Sequence, residues 1–428
     1  MLLIRGGDVI DQSGRRRADV LIDGERIVAV GPGLDGGAGV MVLDATGAVV
    51  CPGFVDLHTH LRQPGQEEAE TVETGSRAGA LGGYTALVAM PNTTPATDSV
   101  ELVCQVRRWG DEAGLVEVHP AAAITAGRGG ERLADLATLH AAGVRVFTDD
   151  GNEVADAALM RQALELARTL PGAVIAQHAE CAALVADGHL NEGSVSRSLG
   201  LVGRPGTAEE ITVARDLALV RLVGGGVRYH VLHASVAATV ELIRRAKADG
   251  LAVSVEVTPQ HLTLTDACCS GAEPAFKVNP PLRSDDDLLA LRGALCDGVI
   301  DAVATDHAPH APDTKARPFA SAPPGMLGLE TALAVVVSAA AIPLERAIAA
   351  LSWEPARIAG LGEHGRPVAP GEFANLCVFD PNRSWEVDPH RLASKSRNTP
   401  FAHWTVTGKV RHTVLRGRPT VIDEVAQR

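Results

Sequence analysis

The feature that most constrains the fold of this chain is a regular alternation of strand-like and helix-like stretches between residues 51 and 365. Short apolar runs are followed by stretches rich in Ala, Leu, Arg and Glu, such as 155–169 and 237–248. Roughly eight strand–helix units predict a (β/α)8 barrel, an α/β fold. An open doubly wound sheet is the alternative, but no GxGxxG loop follows the first strand. The strand candidates lie at residues 53–58, 85–90, 116–122, 144–147, 174–177, 227–232, 252–257 and 302–304.

The two ends of the chain have a different pattern from the middle. Residues 1–50 and 366–428 alternate short apolar runs with glycine-containing turns, which is typical of β-strands joined by tight connections. We predict that both ends form one smaller β-rich domain, a composite β-sandwich, beside a barrel of residues 51–365. The proline-rich stretch 311–325 is predicted to be a mobile loop.

Composition excludes several classes of protein. The net charge of -13 argues against a general nucleic-acid partner, and no apolar run is long enough for a membrane span. The seven cysteines are scattered without a CxxC spacing, which favours reduced thiols and a cytoplasmic location. We therefore expect a globular enzyme that acts on a small molecule, with neither nucleic acid nor membrane as a partner.

The first predicted barrel strand ends in two histidines, His58 and His60, separated by one residue. Residues i and i+2 of a strand point the same way, so the two imidazoles can converge on one point. Neutral imidazole is a common ligand of zinc and similar metals. Arg62 follows two residues later and is suited to hold an anionic substrate beside such a metal.

Further polar side chains follow other predicted strands, at the end where barrel enzymes carry their chemistry. Together with the histidine pair they make six candidate ligands, too many for one tetrahedral zinc. They suit two metals that share a bridging carboxylate and activate one water. One ion is assigned to His58, His60 and Asp306, and the other to His178 and His233, with Asp150 as the bridge.

Six longer motifs resemble dihydroorotases of the bacterial class I type, within the amidohydrolase superfamily, and the resemblance covers nearly the whole chain. The motifs are DLHTHLRQPG at residues 56–65, AMPNT at 89–93, FTDDG at 147–151, VTPQHL at 257–262, KVNPPLR at 277–283 and ATDHAPH at 304–310. The resemblance implies the barrel with its β-rich ends. It also implies reversible hydrolysis of (S)-dihydroorotate to N-carbamoyl-L-aspartate in pyrimidine biosynthesis.

The resemblance also assigns residues. The implied metal ligands are His58, His60, Asp150, His178, His233 and Asp306. The implied substrate contacts are His60, Arg62, Asn92, Asn279 and His310, together with the loop at Pro324 and Gly325, where the family often has Phe-Gly.

The chain departs from many relatives in the superfamily at the fourth strand. Those relatives bridge two metals with a carbamylated lysine, whereas residues 144–150 contain no lysine. The resemblance favours Asp150 as an unmodified bridge, because it directly precedes Gly151, and leaves Asp149 as a supporting or turn residue. We expect two Zn²⁺ per chain and no carbamylated lysine.

A mechanism follows as a hypothesis. Asp306 accepts the proton of the attacking water and delivers it to the departing ring nitrogen, acting first as base and then as acid. The planar fork of Arg62 binds the substrate carboxylate, with Asn92 and His310 beside it. The stretch 311–325 is expected to close over the substrate.

Two other functions compete with this one. A hydantoinase-like or allantoinase-like cyclic amidase is disfavoured by the missing lysine and by the Arg62–Asn92 pair. An inactive scaffold that supports aspartate transcarbamoylase is disfavoured because all six ligand positions are intact. A homodimer is expected, and association with aspartate transcarbamoylase is left open.

Overall fold

The computed structural model describes residues 1–428, and its strands fall into an end sheet, a barrel and one small extra pair. In chain order the strands are β1 (Leu2–Asp11), β2 (Gly14–Asp23), β3 (Arg26–Gly31), β4 (Met41–Asp44), β5 (Val49–Pro52), β6 (Phe54–Thr59), β7 (Tyr84–Ala89), β8 (Glu117–Pro120), β9 (Val146–Phe147), β10 (Val174–Gln177), β11 (Leu190–Asn191), β12 (Gly203–Arg204), β13 (Tyr229–Val231), β14 (Val253–Val257), β15 (Ala302–Val303), β16 (Leu376–Glu386), β17 (Thr405–Leu415), β18 (Arg418–Ile422) and β19 (Val425–Ala426).

Helices connect the strands, and several begin where the sequence supplies an N-cap. Ser99 and Ser284 accept hydrogen bonds from backbone amides in the first turns of the helices that follow them. The helices are α1 (Val72–Leu81), α2 (Val100–Ala113), α3 (Leu136–Ala141), α4 (Ala157–Ala167), α5 (Ala182–Val185), α6 (Ser194–Leu199), α7 (Thr207–Val223), α8 (Ala237–Ala248), α9 (Asp285–Cys296), α10 (Pro312–Lys315), α11 (Ala332–Ala334, continued by a π-helical turn at Val335–Ala339), α12 (Leu344–Leu351) and α13 (Trp353–Ala359). None of them is long and apolar enough to cross a lipid bilayer.

Both chain ends share one nine-stranded sheet, in the order β19-β18-β17-β16-β5-β1-β2-β3 with β4 beside β1. The ends meet where β16 runs antiparallel to β5, with Cys377 opposite Cys51. Hydrogen bonds join all nine strands into one sheet, and the sandwich arrangement of this domain stays a prediction. The second β-rich domain built from both ends is therefore present, and its boundaries at residues 50 and 366 stay a prediction.

The end sheet is apolar on both faces because it lies between two cores. Val50 packs into a core within the end domain, together with Leu2 and Val20. Its neighbours Val49 and Cys51 belong instead to the large core shared with the barrel. Successive side chains of a strand point to opposite faces, so the continuous apolar run of β5 attaches the end domain to the barrel.

The barrel is closed by parallel pairing of eight strands. One run joins β6, β7 and β8, and the other joins β9, β10, β13, β14 and β15. Short bridges between Ala122 and Phe147 and between Thr59 and His307 connect the two runs. The predicted (β/α)8 barrel is confirmed, and the closure excludes the open doubly wound sheet.

The proline-rich stretch 311–325 is attached to the barrel by two buried lysines. Lys315 Nζ donates to the carbonyl oxygens of Lys277 at 3.1 Å and Pro323 at 2.9 Å. Lys277 Nζ donates in turn to those of Phe319 at 2.8 Å and Ala320 at 2.9 Å. Both ammonium groups thus hold the stretch against the barrel rim, and its motion over a substrate stays a prediction.

Candidate metal and substrate site

All six predicted metal ligands come together at the carboxyl end of the barrel. His58 and His60 come from the end of β6, the other four follow β9, β10, β13 and β15, and all six are nearly or fully buried. Because parallel strands present their carboxyl ends at one rim, residues far apart in sequence meet there. Their role as ligands stays a prediction. The shortest distances are His60 Nε2 to Asp306 Oδ1 at 2.9 Å, His178 Nδ1 to His233 Nε2 at 2.9 Å and His58 Nε2 to Asp150 Oδ1 at 3.3 Å.

A buried carboxylate fixes the orientation of the first histidine. His58 Nδ1 donates to Glu256 Oε1 at 2.9 Å, and His230 Nε2 donates to the other oxygen of Glu256 at 3.0 Å. Burial alone would raise the pKa of Glu256, but these two hydrogen bonds lower it to about 2, so the group is ionised. With its proton on Nδ1, His58 directs the lone pair of Nε2 into the cluster.

The second histidine is oriented in the same way by an amide. His60 Nδ1 donates to Asn92 Oδ1 at 2.8 Å, which leaves Nε2 unprotonated toward Asp306. Asn92 also directs its Nδ2 toward Asp150 Oδ2 at 3.4 Å. The predicted substrate contact Asn92 thus also positions a predicted metal ligand.

The cluster fits cations. The lone pairs of His58 Nε2 and His60 Nε2 face carboxylate oxygens at short range, which is repulsive unless a positive charge lies between them. His58 Nε2 is a buried polar atom without any hydrogen-bond partner. Burial lowers the pKa of His58, but the charges of Asp150 and Asp306 outweigh it and raise that pKa well above the ordinary value, so these carboxylates favour a positive charge, from a proton or a metal ion, at His58 Nε2. Imidazole nitrogens and carboxylate oxygens are also the donor set that zinc prefers.

The two aspartates of the FTDDG motif have separate positions. Asp150 Oδ1 faces His58 and lies 3.5 Å from His178 Nδ1, while its Oδ2 lies 3.5 Å from His60 Nε2. Asp149 instead accepts from the backbone amide of Thr125 at 3.0 Å and from that residue's hydroxyl. Only Asp150 therefore presents both carboxylate oxygens to the histidines.

Three residues of the site have a left-handed backbone although none is glycine. Their φ angles are 60° for Arg62, 31° for His233 and 47° for Asp306. This conformation costs on the order of 1 kcal/mol or more for a residue with a Cβ, and persists where the surroundings enforce it. At these three positions the strained backbone belongs to residues that line the site.

Arg62 is the cation on the wall of the site cavity, which measures about 240 Å³. The side chain is 8% exposed at the residue level and forms no ion pair within the protein. Its Nε donates to the carbonyl oxygen of Pro309 at 3.0 Å, and Nη2 lies 3.4 Å from His310 Nε2. Burial lowers the pKa of Arg62 to about 10, so it stays charged at neutral pH. A buried guanidinium without a carboxylate partner is a binding point for an anion.

His310 and the 324–325 loop form the wall next to Arg62. His310 Nε2 donates to the carbonyl oxygen of Pro324 at 2.7 Å. Burial and then the charge of Arg62 lower the pKa of His310 to about 3, so the ring is neutral. Gly325 has a φ of 146°, and a Cβ there would lie 2.7 Å from His310 Nε2. Glycine is therefore required at 325, and Pro324 contributes its backbone to the wall.

The opposite wall carries Asn279 in an ionic network. Asn279 Oδ1 accepts from Arg204 Nη1 at 2.6 Å, and its Nδ2 donates to Glu180 Oε2 at 2.9 Å. Glu180 pairs with Arg204 at 2.9 Å and lies 3.5 Å from His178 Nε2. The network fixes the amide of Asn279 and supports His178 from behind.

Sequence reasoning missed three buried residues that orient the site. They are Glu256, His230 and Asp56, of which the last accepts from Thr305 Oγ1 at 2.6 Å and from the backbone amide of His58 at 3.0 Å. Asp56 thus connects the strand of His58 to the segment before Asp306. The available signal was a charged or imidazole side chain inside a strongly apolar strand, where an unpaired polar group is costly.

Solved structures with this architecture are hydrolases of cyclic amides by name. The dihydropyrimidinase of Brevibacillus agri is 26% identical, has a TM-score of 0.85, and the match covers 99% of this chain and 96% of that one. The D-hydantoinase of a Thermus species is 26% identical with a TM-score of 0.83, covering 100% and 96%. Barrel, β-rich end domain and imidazole–carboxylate cluster together define a metal-dependent cyclic amidohydrolase.

Sequence relatives specify the family within that class. Residues 47–238 match the family model described as dihydro-orotase-like. The dihydroorotase of Streptomyces coelicolor is 48% identical over 427 residues, covering 98% of each chain. That of Mycobacterium tuberculosis is 49% identical over 433 residues, covering 99% of this chain and 98% of the relative. The chain belongs to the dihydroorotase family.

Proposed function

We propose that this protein catalyses the reversible hydrolysis of (S)-dihydroorotate to N-carbamoyl-L-aspartate, a step of pyrimidine biosynthesis. The observation that carries the proposal is Arg62, a buried guanidinium without an ion-pair partner beside an imidazole–carboxylate cluster. The cluster suits hydrolysis of a cyclic amide. Arg62 favours a cyclic substrate that carries an anionic group, because its guanidinium has no carboxylate partner in the protein. Dihydroorotate combines both features.

Two Zn²⁺ per chain are proposed for the cluster, without a carbamylated lysine. His58, His60 and Asp306 would hold one ion and His178 and His233 the other, with Asp150 shared. The spread of Asp150 oxygens toward both sets of histidines supports this division. When bound, such ions lower the pKa of a water and polarise the substrate carbonyl.

Asp306 is proposed to move the proton. Its carboxylate stays ionised, because burial raises its pKa but the neighbouring His58 and His60 outweigh that effect and hold it below the ordinary value. An ionised carboxylate can accept a proton from the attacking water. It then returns that proton to the ring nitrogen as the C–N bond breaks, so the group ends in its starting state.

Arg62, Asn92, Asn279 and His310 are proposed to hold the substrate, with His60 and the backbone at Pro324 and Gly325. Arg62 can donate two parallel bonds to a carboxylate. The Arg204–Glu180 contacts hold Asn279 in one orientation, which reduces the entropy lost on binding. Substrate position is thereby fixed by groups that are ordered in advance.

The test compares substrates with and without the carboxylate. Wild-type protein loaded with zinc is assayed with dihydroorotate, with dihydrouracil, and with hydantoin and allantoin. Arg62→Gln should lower kcat/KM for dihydroorotate about a hundredfold, because charge-assisted bonds are lost, and leave any turnover of dihydrouracil unchanged. Arg317→Gln, an exposed change in the nearby stretch 311–325, is the matched control.

A preference of the wild type for hydantoin or allantoin would favour the cyclic amidase alternative and reject the proposal. Zinc-loaded protein that is inert toward every one of these substrates would support the inactive scaffold. We also propose that the protein forms a homodimer and is located in the cytoplasm. Association with aspartate transcarbamoylase is compatible with the same function. Seven unpaired cysteines agree with a reducing compartment.

A further inference from the structure

A second imidazole–carboxylate cluster lies at the opposite end of the barrel. Glu117 and His119 come from strand β8, and His364 follows helix α13. His364 Nε2 lies 2.9 Å from Glu117 Oε2, and His119 Nε2 lies 3.4 Å from the same oxygen. All three ligand-type atoms are within 4.8 Å of one another. The cluster shares no residue with the site at the other rim.

His119 has the same unusual feature as His58. Two imidazole nitrogens in the protein are buried without a hydrogen-bond partner, namely His58 Nε2 and His119 Nε2. A buried polar atom that lacks a partner costs roughly 1–3 kcal/mol. In the rim site the orphaned nitrogen belongs to a predicted metal ligand, and His119 Nε2 is directed at a carboxylate in the same way.

The distances suit a tetrahedral ion. Ligand bonds of about 2.0–2.1 Å place the donor atoms of a tetrahedral site about 3.3 Å apart. The distance from His119 Nε2 to Glu117 Oε2 is 3.4 Å, close to this value. That between His364 and Glu117, at 2.9 Å, needs a widening of a few tenths of an ångström. The three side chains supply three ligands, and a water would be the fourth ligand of a tetrahedral ion.

The carboxylate of Glu117 is held in one orientation. Arg416 lies beside the cluster and pairs with three carboxylates, those of Glu25, Glu117 and Glu363. Arg416 binds Oε1 of Glu117, which leaves Oε2 to face the histidines.

We propose that Glu117, His119 and His364 bind a structural Zn²⁺ at the amino end of the barrel. Two imidazoles and one carboxylate are a common ligand set for this ion. The ion joins strand β8 to the segment that leads from α13 into the end sheet, and Arg416 of that sheet holds the carboxylate. Its role is to fix the end domain against the barrel, since the amino end of such barrels serves stability rather than chemistry.

The experiment uses the full chain and zinc chloride alone. Crystals of wild-type protein and of His119→Ala are soaked in zinc chloride, and anomalous difference maps are measured at the zinc edge. Zinc per chain is counted by mass spectrometry after dialysis, and dihydroorotate turnover is measured on the same samples. His390→Ala, which removes an exposed histidine without side-chain hydrogen bonds, is the control.

We expect an anomalous peak between the three side chains in wild type and in His390→Ala. His119→Ala should lose that peak and one zinc equivalent per chain, unfold at a lower temperature in zinc, and keep its turnover. His119→Ala also removes the packing of the ring against His364, so the thermal shift caused by zinc is taken as the difference between unfolding in zinc and in a chelator, and this difference should be smaller in the variant than in wild type. A wild-type crystal without this peak, or a peak that persists in His119→Ala, overturns the proposal.

Discussion

The two ends of the barrel carry clusters of the same residue types that differ in how their histidines are supported. At the carboxyl rim, His58 and His60 are each held from behind, by Glu256 and by Asn92. At the amino end, His364 is held by Thr85 at 3.0 Å, but His119 has no support of this kind. Left-handed backbone at non-glycine residues occurs at both ends, at Arg62, His233 and Asp306 of the rim and at Arg416 beside the amino-end cluster.

This difference separates a site built for chemistry from one suited to stability. Catalysis requires ligands and acids held within a fraction of an ångström, so the rim includes buried ionised groups and strained residues that only a rigid surrounding can maintain. A structural ion needs neither an open reaction space nor a proton acceptor. Changes at the rim should affect turnover, metal affinity and stability separately.

The largest effect is expected for Asp306→Asn. An amide can still approach a cation but cannot accept a proton, so kcat for dihydroorotate should fall about 10²–10⁴-fold. Turnover is measured at saturating zinc with zinc content determined on the same sample, and exposed Asp313→Asn is the control. If fully zinc-loaded Asp306→Asn retained more than a tenth of the wild-type rate, Asp306 would not be the proton acceptor.

A smaller effect is expected for Glu256→Gln, which keeps the shape of the group that orients His58 but removes its charge. Zinc affinity at the rim should weaken about 10- to 100-fold, because the support behind a ligand sets its basicity. Competition with a chromogenic chelator measures the affinity, and exposed Glu165→Gln serves as control. Unchanged zinc affinity would mean that the hydrogen bond between His58 and Glu256 does not affect metal binding. Such hydrogen bonds would then not explain the difference between the two ends of the barrel.

The smallest effect concerns stability, because the charge of Lys315 is buried beneath the stretch 311–325. Burial, and then the charge of Lys277, lower the pKa of Lys315 to about 7, from 10.5 for an ordinary lysine. Between these values the unfolded chain binds more protons than the folded one, so stability should rise with pH from about 7 to 10.5. The gain between pH 7 and 9 should be about 2 kcal/mol.

Lys315→Met removes this titration. Denaturant unfolding of both proteins at several pH values measures the difference, and the wild type should gain stability relative to Lys315→Met as pH rises. If the free energy of unfolding of both proteins depended on pH in the same way, burial of the Lys315 ammonium would not destabilise the fold. The stretch 311–325 would then be less tightly attached to the rim than its hydrogen bonds imply.

The predictions from sequence succeeded where local pattern and chain order are sufficient. Alternating strands and helices predicted the barrel, and α8 begins and ends at the predicted residues, 237 and 248. Strand β9 is shorter than predicted at its start, Val146–Phe147 rather than 144–147, because the neighbouring strand β10 begins at Val174, opposite Val146. The six ligand candidates could be found because parallel strands place their following residues at one rim.

What the sequence alone determined is thus the alternation that makes a barrel, and the imidazoles and carboxylates that follow its strands. The partner of each of those groups is set by the folded chain and cannot be found from local pattern. Glu256 reaches His58 across 198 positions of the chain, and Glu117 meets His364 across 247. The spacing of apolar residues indicates which face of a strand is buried. The pairing of buried charged groups depends on closure of the barrel, because closure brings distant segments within hydrogen-bond distance.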